Sequence, residues 1–191
     1  MFTWLRGFAD MQWRAAALAA FYDGPTWQAH RDAANDTMID SDNVLLLRPV
    51  RPGSGFVVDA ADRPGVDATA VPPGLFVATI YQLEPSTSKD FADVFQRVVV
   101  PELAASGATP VAQFETEPAA NNFPRLPVRE GGHFFVWFAR FADVRAHDRH
   151  VAALNDSRRW RETVRPTLDR LLASPFESWR LTPTARSRTF G

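Results

Sequence analysis

Apolar residues along this chain follow two rhythms. Short runs rich in apolar, aromatic and β-branched residues predict strands at 2–8, 44–47, 75–83, 110–117, 133–141 and 178–182. Longer stretches with a period of three to four predict helices. The first follows Asp10, with Trp13, Ala17, Ala20 and Phe21 on one face, and the second spans about 25–38, with Trp27, His30, Ala34 and Met38 in a stripe. A third runs from Ser86-Thr-Ser88 to Gly107 through Phe91, Val94, Phe95, Val98, Val99 and Leu103. The last starts after Asp143, breaks at Asn155-Asp-Ser157, and resumes with Trp160, Val164, Leu168, Leu171 and Leu172. Thr87 with Asp90 resembles a capping box, Gly107 suits the position just past a helix, and Pro101 predicts a kink.

Part of this pattern occurs twice. Adding 133 to Phe2, Trp4, Phe8, Ala9 and Asp10 gives Phe135, Trp137, Phe141, Ala142 and Asp143. The same offset takes Ala19, Ala20, Asp23 and Trp27 to Ala152, Ala153, Asp156 and Trp160. The repeated unit reads strand, N-cap aspartate, helix.

Residues 75–185 read strand, helix, strand, strand, helix, strand, which is a complete ferredoxin-like (split βαβ) unit. Residues 1–50 carry only strand, helix, helix, strand, so the first unit is incomplete. Between them, residues 51–74 form a Pro/Gly-rich linker with a short strand expected at Phe56-Val-Val58, and residues 186–191 are a tail. Gly53-Ser-Gly55 lacks the lysine and helix start of a phosphate cradle and reads as ordinary loop. The fold class expected is therefore α+β, with tandem ferredoxin-like units. An open apolar antiparallel sheet in so small a unit predicts a homodimer, with one alternate set from Phe134/Val136/Phe138 or Phe135/Trp137/Phe141 buried sheet on sheet.

Composition narrows the chemistry. The 191 residues are 46% hydrophobic and 12% aromatic, a globular balance. A formal net charge of −1 gives no field for nucleic acid or an anionic membrane, and neither partner is expected. The chain has no cysteine, which removes thiol catalysis, disulfides and thiolate metal sites. No apolar run approaches a membrane span and no signal-peptide pattern is present, so a soluble cytoplasmic protein is expected.

Candidate chemistry is sparse. His147 and His150, three apart, can share a helix face, but Asp143, Asp148 and Arg149 predict a solvated charged face there, and neither metal nor cofactor is expected. His30 can face a pocket with Tyr22, Asp32 and Asn35, or it can simply tie its helix to a loop with Asp32. Arg6 alternates with Trp4 on the first strand and can hold an anionic or quinone-like ligand by charge and stacking, or pair with a carboxylate at a sheet edge. The second copy offers Trp137 and Arg140 to the same candidate pocket. The long loop 118–132, with Asn121, Asn122, Arg125 and Arg129, can cover a pocket, although a bridge across a dimer interface is the plainer reading.

Several segments give a family resemblance: Trp4-Leu-Arg-Gly-Phe8, His30-Arg-Asp-Ala-Ala-Asn35, Ser41-Asp-Asn-Val-Leu-Leu-Leu-Arg-Pro49, Glu117-Pro-Ala-Ala-Asn121 and Phe123-Pro-Arg-Leu-Pro-Val-Arg-Glu130. In combination they resemble a bacterial member of the NIPSNAP family. The resemblance implies tandem ferredoxin-like units of the dimeric α+β barrel type. That architecture also houses cofactor-free monooxygenases and small-molecule-processing enzymes. It brings no catalytic constellation to carry over. The departure from it is the N-terminal half of the first repeat, which is lacking here. The functional expectation is a small-molecule-binding or cofactor-free monooxygenase-like barrel that takes a small hydrophobic or aromatic ligand. The alternatives are a non-enzymatic dimerising scaffold and an N-terminally truncated fragment.

Overall fold

The structure, a computed structural model, describes residues 3–40, 43–57 and 64–187. These divide into two compact units. One comprises the residues up to Leu46 together with Glu117–Gly131, and the other comprises Leu47–Thr116 together with the residues from Gly132 onward.

The larger unit is built on one antiparallel sheet. Its strands are β1 (Leu47–Pro49), β2 (Leu75–Leu83), β3 (Pro110–Thr116), β4 (His133–Phe141) and β5 (Glu177–Leu181). Their spatial order is β1-β3-β4-β2-β5, and every neighbouring pair is antiparallel. Strands β2 to β5 reproduce the split βαβ order expected for residues 75–185. β4 lies at the centre of the sheet, paired with β2 from Leu75↔Phe141 to Leu83↔His133 and with β3 on its other side. Hydrogen-bonded on both edges and covered on both faces, it has to be apolar throughout, and Phe134 to Ala139 are all buried.

Leu75, Val77, Tyr81, Leu83, Phe135, Trp137, Ala139 and Phe141 alternate onto the sheet face that meets the helices. Against them pack Phe91, Phe95, Val99 and Leu103 from one helical stretch and Trp160, Val164 and Leu168 from another. Phe95 sits 4.8 Å from Phe135 and 5.8 Å from Trp137, ring centre to ring centre.

Both helical stretches solve the same geometric problem. Their core residues recur every fourth position, and in a regular α-helix a spacing of four overshoots one turn by about 40° per step. A wider π turn cancels part of that drift. It occurs at Phe95–Val99 between α3 (Phe91–Val94) and α4 (Val100–Ala105), and again at Trp160–Val164, between α5 (Val144–Asp156) and α6 (Arg165–Leu171). Each π turn precedes a proline, Pro101 or Pro166, which lacks the N–H a regular ladder would use. The kink expected at Pro101 therefore takes the form of a π turn. Gly107 follows α4 with φ +92°, the left-handed conformation anticipated for it. The capping box does not form. Helix α3 begins at Phe91 without a side-chain cap, and the Thr87 hydroxyl sits within hydrogen-bond distance of the carbonyls of Glu84 and Leu171.

The other face of the sheet is not open. Phe76, Phe134, Val136 and Phe138 are all buried, and Phe56 packs 5.0 Å from Phe138, 5.7 Å from Phe114 and 6.3 Å from Phe76. The premise of an uncovered apolar sheet is thereby removed. Phe56 does this from a loop and not from the expected strand, Val57 beside it is exposed, and Val58 lies outside the described residues.

The smaller unit contains α1 (Met11–Tyr22) and α2 (Pro25–Asn35), with no strand among its described residues. Asp10 caps α1 by accepting from the Trp13 amide at 2.7 Å, as Asp143 caps α5 by accepting from Ala146 at 2.7 Å. The strand expected at 2–8 is absent from 3–8, and Phe2 lies outside the described residues. The strand expected at 44–47 starts at its last residue. Leu47–Pro49 pair with β3 of the larger unit, where Arg48 meets Glu115 across the strands at 2.7 Å.

Helix α1 also turns the other way. The expected face of Trp13, Ala17, Ala20 and Phe21 is exposed, Trp13 by 65%, while Arg14 and Leu18 are buried. In an alanine-rich helix the apolar period is too shallow to choose a side, so specific contacts decide. The Arg14 guanidinium donates to Asn122 Oδ1 at 2.7 Å, and Asn122 Nδ2 donates to the Met11 carbonyl at 2.6 Å. Helix α2 ends three residues before the expected Met38 and buries no residue fully.

Candidate functional site

In the smaller unit the end of α1, the start of α2 and the 117–131 loop bring aromatic rings together. Tyr22 lies 5.1 Å from Phe21, 4.9 Å from Trp27 and 5.6 Å from Phe123, stacked on the last. The sharp turn Asp23-Gly24-Pro25, with Pro25 opening α2, places Trp27 back over Phe21 and Tyr22. Two guanidinium groups flank the rings. Arg6 lies 4.3 Å from the Trp4 ring centre, 5.5 Å from Phe21 and 5.8 Å from Tyr22. Arg125 lies 5.6 Å from Phe123 and pairs with Asp23 at 2.6 Å.

The two arginines differ in one respect. Arg125 has its carboxylate, whereas Arg6 has no carboxylate partner among the described residues. Its charge is held only by ring faces, an arrangement worth about 0.5–1 kcal/mol per exposed contact. The edge ion pair considered for Arg6 does not form among the described residues.

The remaining candidates scatter. His30, Asp32 and Asn35 stand exposed on α2, with Asp32 3.4 Å from Arg31. Trp137 is buried in the helix-facing core of the larger unit, and Arg140 lies at the exposed end of β4. Of the eight pocket candidates, the structure brings together Trp4, Arg6 and Tyr22. The four loop candidates are engaged within the smaller unit. Asn121 bonds the Phe123 amide and the Leu126 carbonyl, and Asn122 holds α1 as described. Arg125 pairs with Asp23, and the Arg129 amide donates to the Val44 carbonyl.

A second feature belongs to the larger unit. His147 and His150 do not lie on a solvated face. They are 7% and 5% exposed, with Phe141 5.0 and 5.4 Å from the respective rings. Leu154 continues the same buried stripe of α5, and the 147/150/154 spacing was the signal that could have placed these histidines inside. Burial lowers the pKa of both. For His147, Arg180 and His150 push further down against Asp148, and for His150 the Ser106 carbonyl pulls upward. His150 Nδ1 lies 3.2 Å from the Ser106 carbonyl and 2.9 Å from its hydroxyl. A carbonyl only accepts, and the hydroxyl has helix carbonyls at 2.8 and 2.9 Å to donate to, so the neutral ring carries its proton on Nδ1. His147 Nδ1 is buried without a partner among the described residues. Among those residues no group of three or more potential metal ligands forms, and no helix is long and apolar enough to cross a membrane.

No protein-family model matches the chain, and no curated protein matches it. Solved structures do. A NIPSNAP family protein of unknown function from Agrobacterium tumefaciens matches with a TM-score of 0.51 at 15% identity, over 64% of this chain and 98% of its own. An uncharacterized NIPSNAP-like domain protein from Burkholderia xenovorans gives 0.49 at 21% identity, over 62% of this chain and 91% of its own. The match to the Agrobacterium protein shows the fold, α+β around an antiparallel sheet, in agreement with the resemblance read from the sequence segments.

Proposed function

We propose that this NIPSNAP-like protein binds a small aromatic anion at the Arg6 cluster of its smaller unit. One observation carries the reading: Arg6 is half-buried on the faces of Trp4, Phe21 and Tyr22 with no carboxylate of its own among the described residues. An anion supplies the missing charge, and an aromatic body adds a further stacked ring. No reaction is assigned, because the arrangement of these residues specifies none. The test is Trp fluorescence titrated with 2-naphthoate, with 2-naphthalenemethanol as the uncharged control. Naphthoate should quench the signal saturably, Arg6→Ala should weaken binding about tenfold, and Arg6→Lys should restore only part of it. Equal binding of acid and alcohol, or an unchanged affinity in Arg6→Ala, would defeat the proposal.

A second reading has its own observation. Trp4, Leu5, Phe8, Trp13 and Phe21 are 55%, 54%, 36%, 65% and 45% exposed, an unusual density of large apolar groups in one small unit. They suit docking to a protein partner, and the homodimer expected from the sequence belongs here. Light scattering that gives a concentration-independent monomer removes the homodimer.

A further inference from the structure

The larger unit has a cleft of about 400 Å³ where the end of α4 meets the start of α5. Its charged and polar lining is Ser106, Arg140, Arg149 and His150, and its apolar floor is Phe141 with alanines of α5 and the β4–α5 turn. No acidic residue lines it. Arg149 is exposed and has no carboxylate partner among the described residues. We propose that this cleft is a binding site for a small organic anion with an apolar body, such as an aromatic or short aliphatic carboxylate.

Three features support the chemistry. The Arg149 guanidinium, with no acid in the lining, gives the mouth of the cleft a positive charge. The C-terminal carbonyls of α4, which would repel an anion, are already occupied: Glu102 and Leu103 accept from the Ser106 amide, and Leu103 also accepts from Ala108. The Ser106 hydroxyl adds to this at 2.8 and 2.9 Å from the same two carbonyls. His150 is held in one orientation by Ser106, so a neutral ring of fixed tautomer forms the inner wall. A carboxylate then meets Arg149 at the mouth while the body lies on Phe141 and the alanines.

The test uses the full chain and benzoate as probe, with benzyl alcohol as the uncharged control, read by NMR on the His150 imidazole. Benzoate should shift the His150 resonances saturably and the alcohol should not. Arg149→Gln should weaken benzoate about tenfold, the loss of one charge-assisted contact. Arg149→Lys should keep most of the affinity. The proposal is independent of the Arg6 reading, because the reporter and the variants belong to different units. Unmoved His150 resonances, equal shifts with the alcohol, or full affinity in Arg149→Gln would each overturn it.

Discussion

The stretches ending at Asp10 and Asp143, read from the sequence as a repeat, have two different outcomes. Both aspartates cap the following helix in the same way, with the same 2.7 Å bond to the amide three residues on. The residues before the cap diverge. Phe135–Phe141 form the centre of a five-stranded sheet, whereas Thr3–Phe8 form no strand. A cap closes within a single turn of chain, so its sequence is enough to make it. A strand is completed by its neighbours, and β4 has β2 and β3 while residues 3–8 have neither. Similar sequence is enough for local structure and leaves non-local structure to context.

The largest test of that contrast uses the matched tryptophans. Trp160 is buried among core residues of the larger unit, and Trp160→Ala should cost about 3–5 kcal/mol of stability. Trp27, its counterpart, is only half-buried and packs on Phe21 and Tyr22. Trp27→Ala should therefore cost less, roughly 1–2 kcal/mol. Chemical denaturation of both variants measures the difference, and equal shifts would mean that the two copies are equivalent in structure after all. Hydrogen exchange sharpens the point. Amides of Leu75–Leu83 and His133–Phe141 should exchange slowly and those of residues 3–8 fast.

The next test is confined to the larger unit. His147 and His150 have folded-state pKa values below the ordinary histidine value. The unfolded chain therefore binds protons that the folded chain refuses. The stability contributed by the neutral pair is complete above the unfolded pKa, about 6.5, and is lost as pH falls below it toward the lowered folded values. Thermal unfolding followed between neutral and mildly acidic pH should show the melting temperature fall, with a shallower fall in His147→Gln. Equal slopes in wild type and variant would mean that His147 takes up its proton as readily folded as unfolded.

Residue patterns made β2 and β4 legible at their observed limits, because strands buried on both faces are apolar through most of their length. The four-residue spacing of Phe91, Phe95, Val99 and Leu103 marked the helix, and the prolines marked where it departs from regularity. What stayed hidden was non-local. Pairing of Leu47–Pro49 with β3 depends on residues about 67 positions away, as the Arg48–Glu115 pair shows. The burial of Arg14 rests on Asn122, 108 positions on. The candidate site follows the same rule. Trp4 and Arg6 were legible as neighbours by alternation, but Phe21 and Phe123 join the cluster only through the turn after α1 and the 117–131 loop.

The smallest effect separates the two copies most cleanly, because the local chemistry is the same in both. Asp10→Ala and Asp143→Ala each remove one side-chain acceptor from a helix N-terminus, a loss of about 1 kcal/mol. Both aspartates are exposed, so neither substitution leaves a cavity. If the helices were equally anchored, both variants would lower the main unfolding midpoint alike. Helix α5 is fixed by Leu154, by Phe141 against its histidines, and by Ser157, whose hydroxyl donates to Glu102 at 2.8 Å. Fraying its first turn must then propagate into the core. Helix α1 is anchored by Arg14 and Leu18, in a unit with no strand among its described residues. Asp143→Ala should therefore lower the cooperative midpoint, while Asp10→Ala should show mainly as faster exchange of the first α1 amides with the midpoint almost unmoved. A midpoint shift of equal size in both would show that the smaller unit unfolds together with the larger one, and the contrast between the copies would then be one of shape and not of stability.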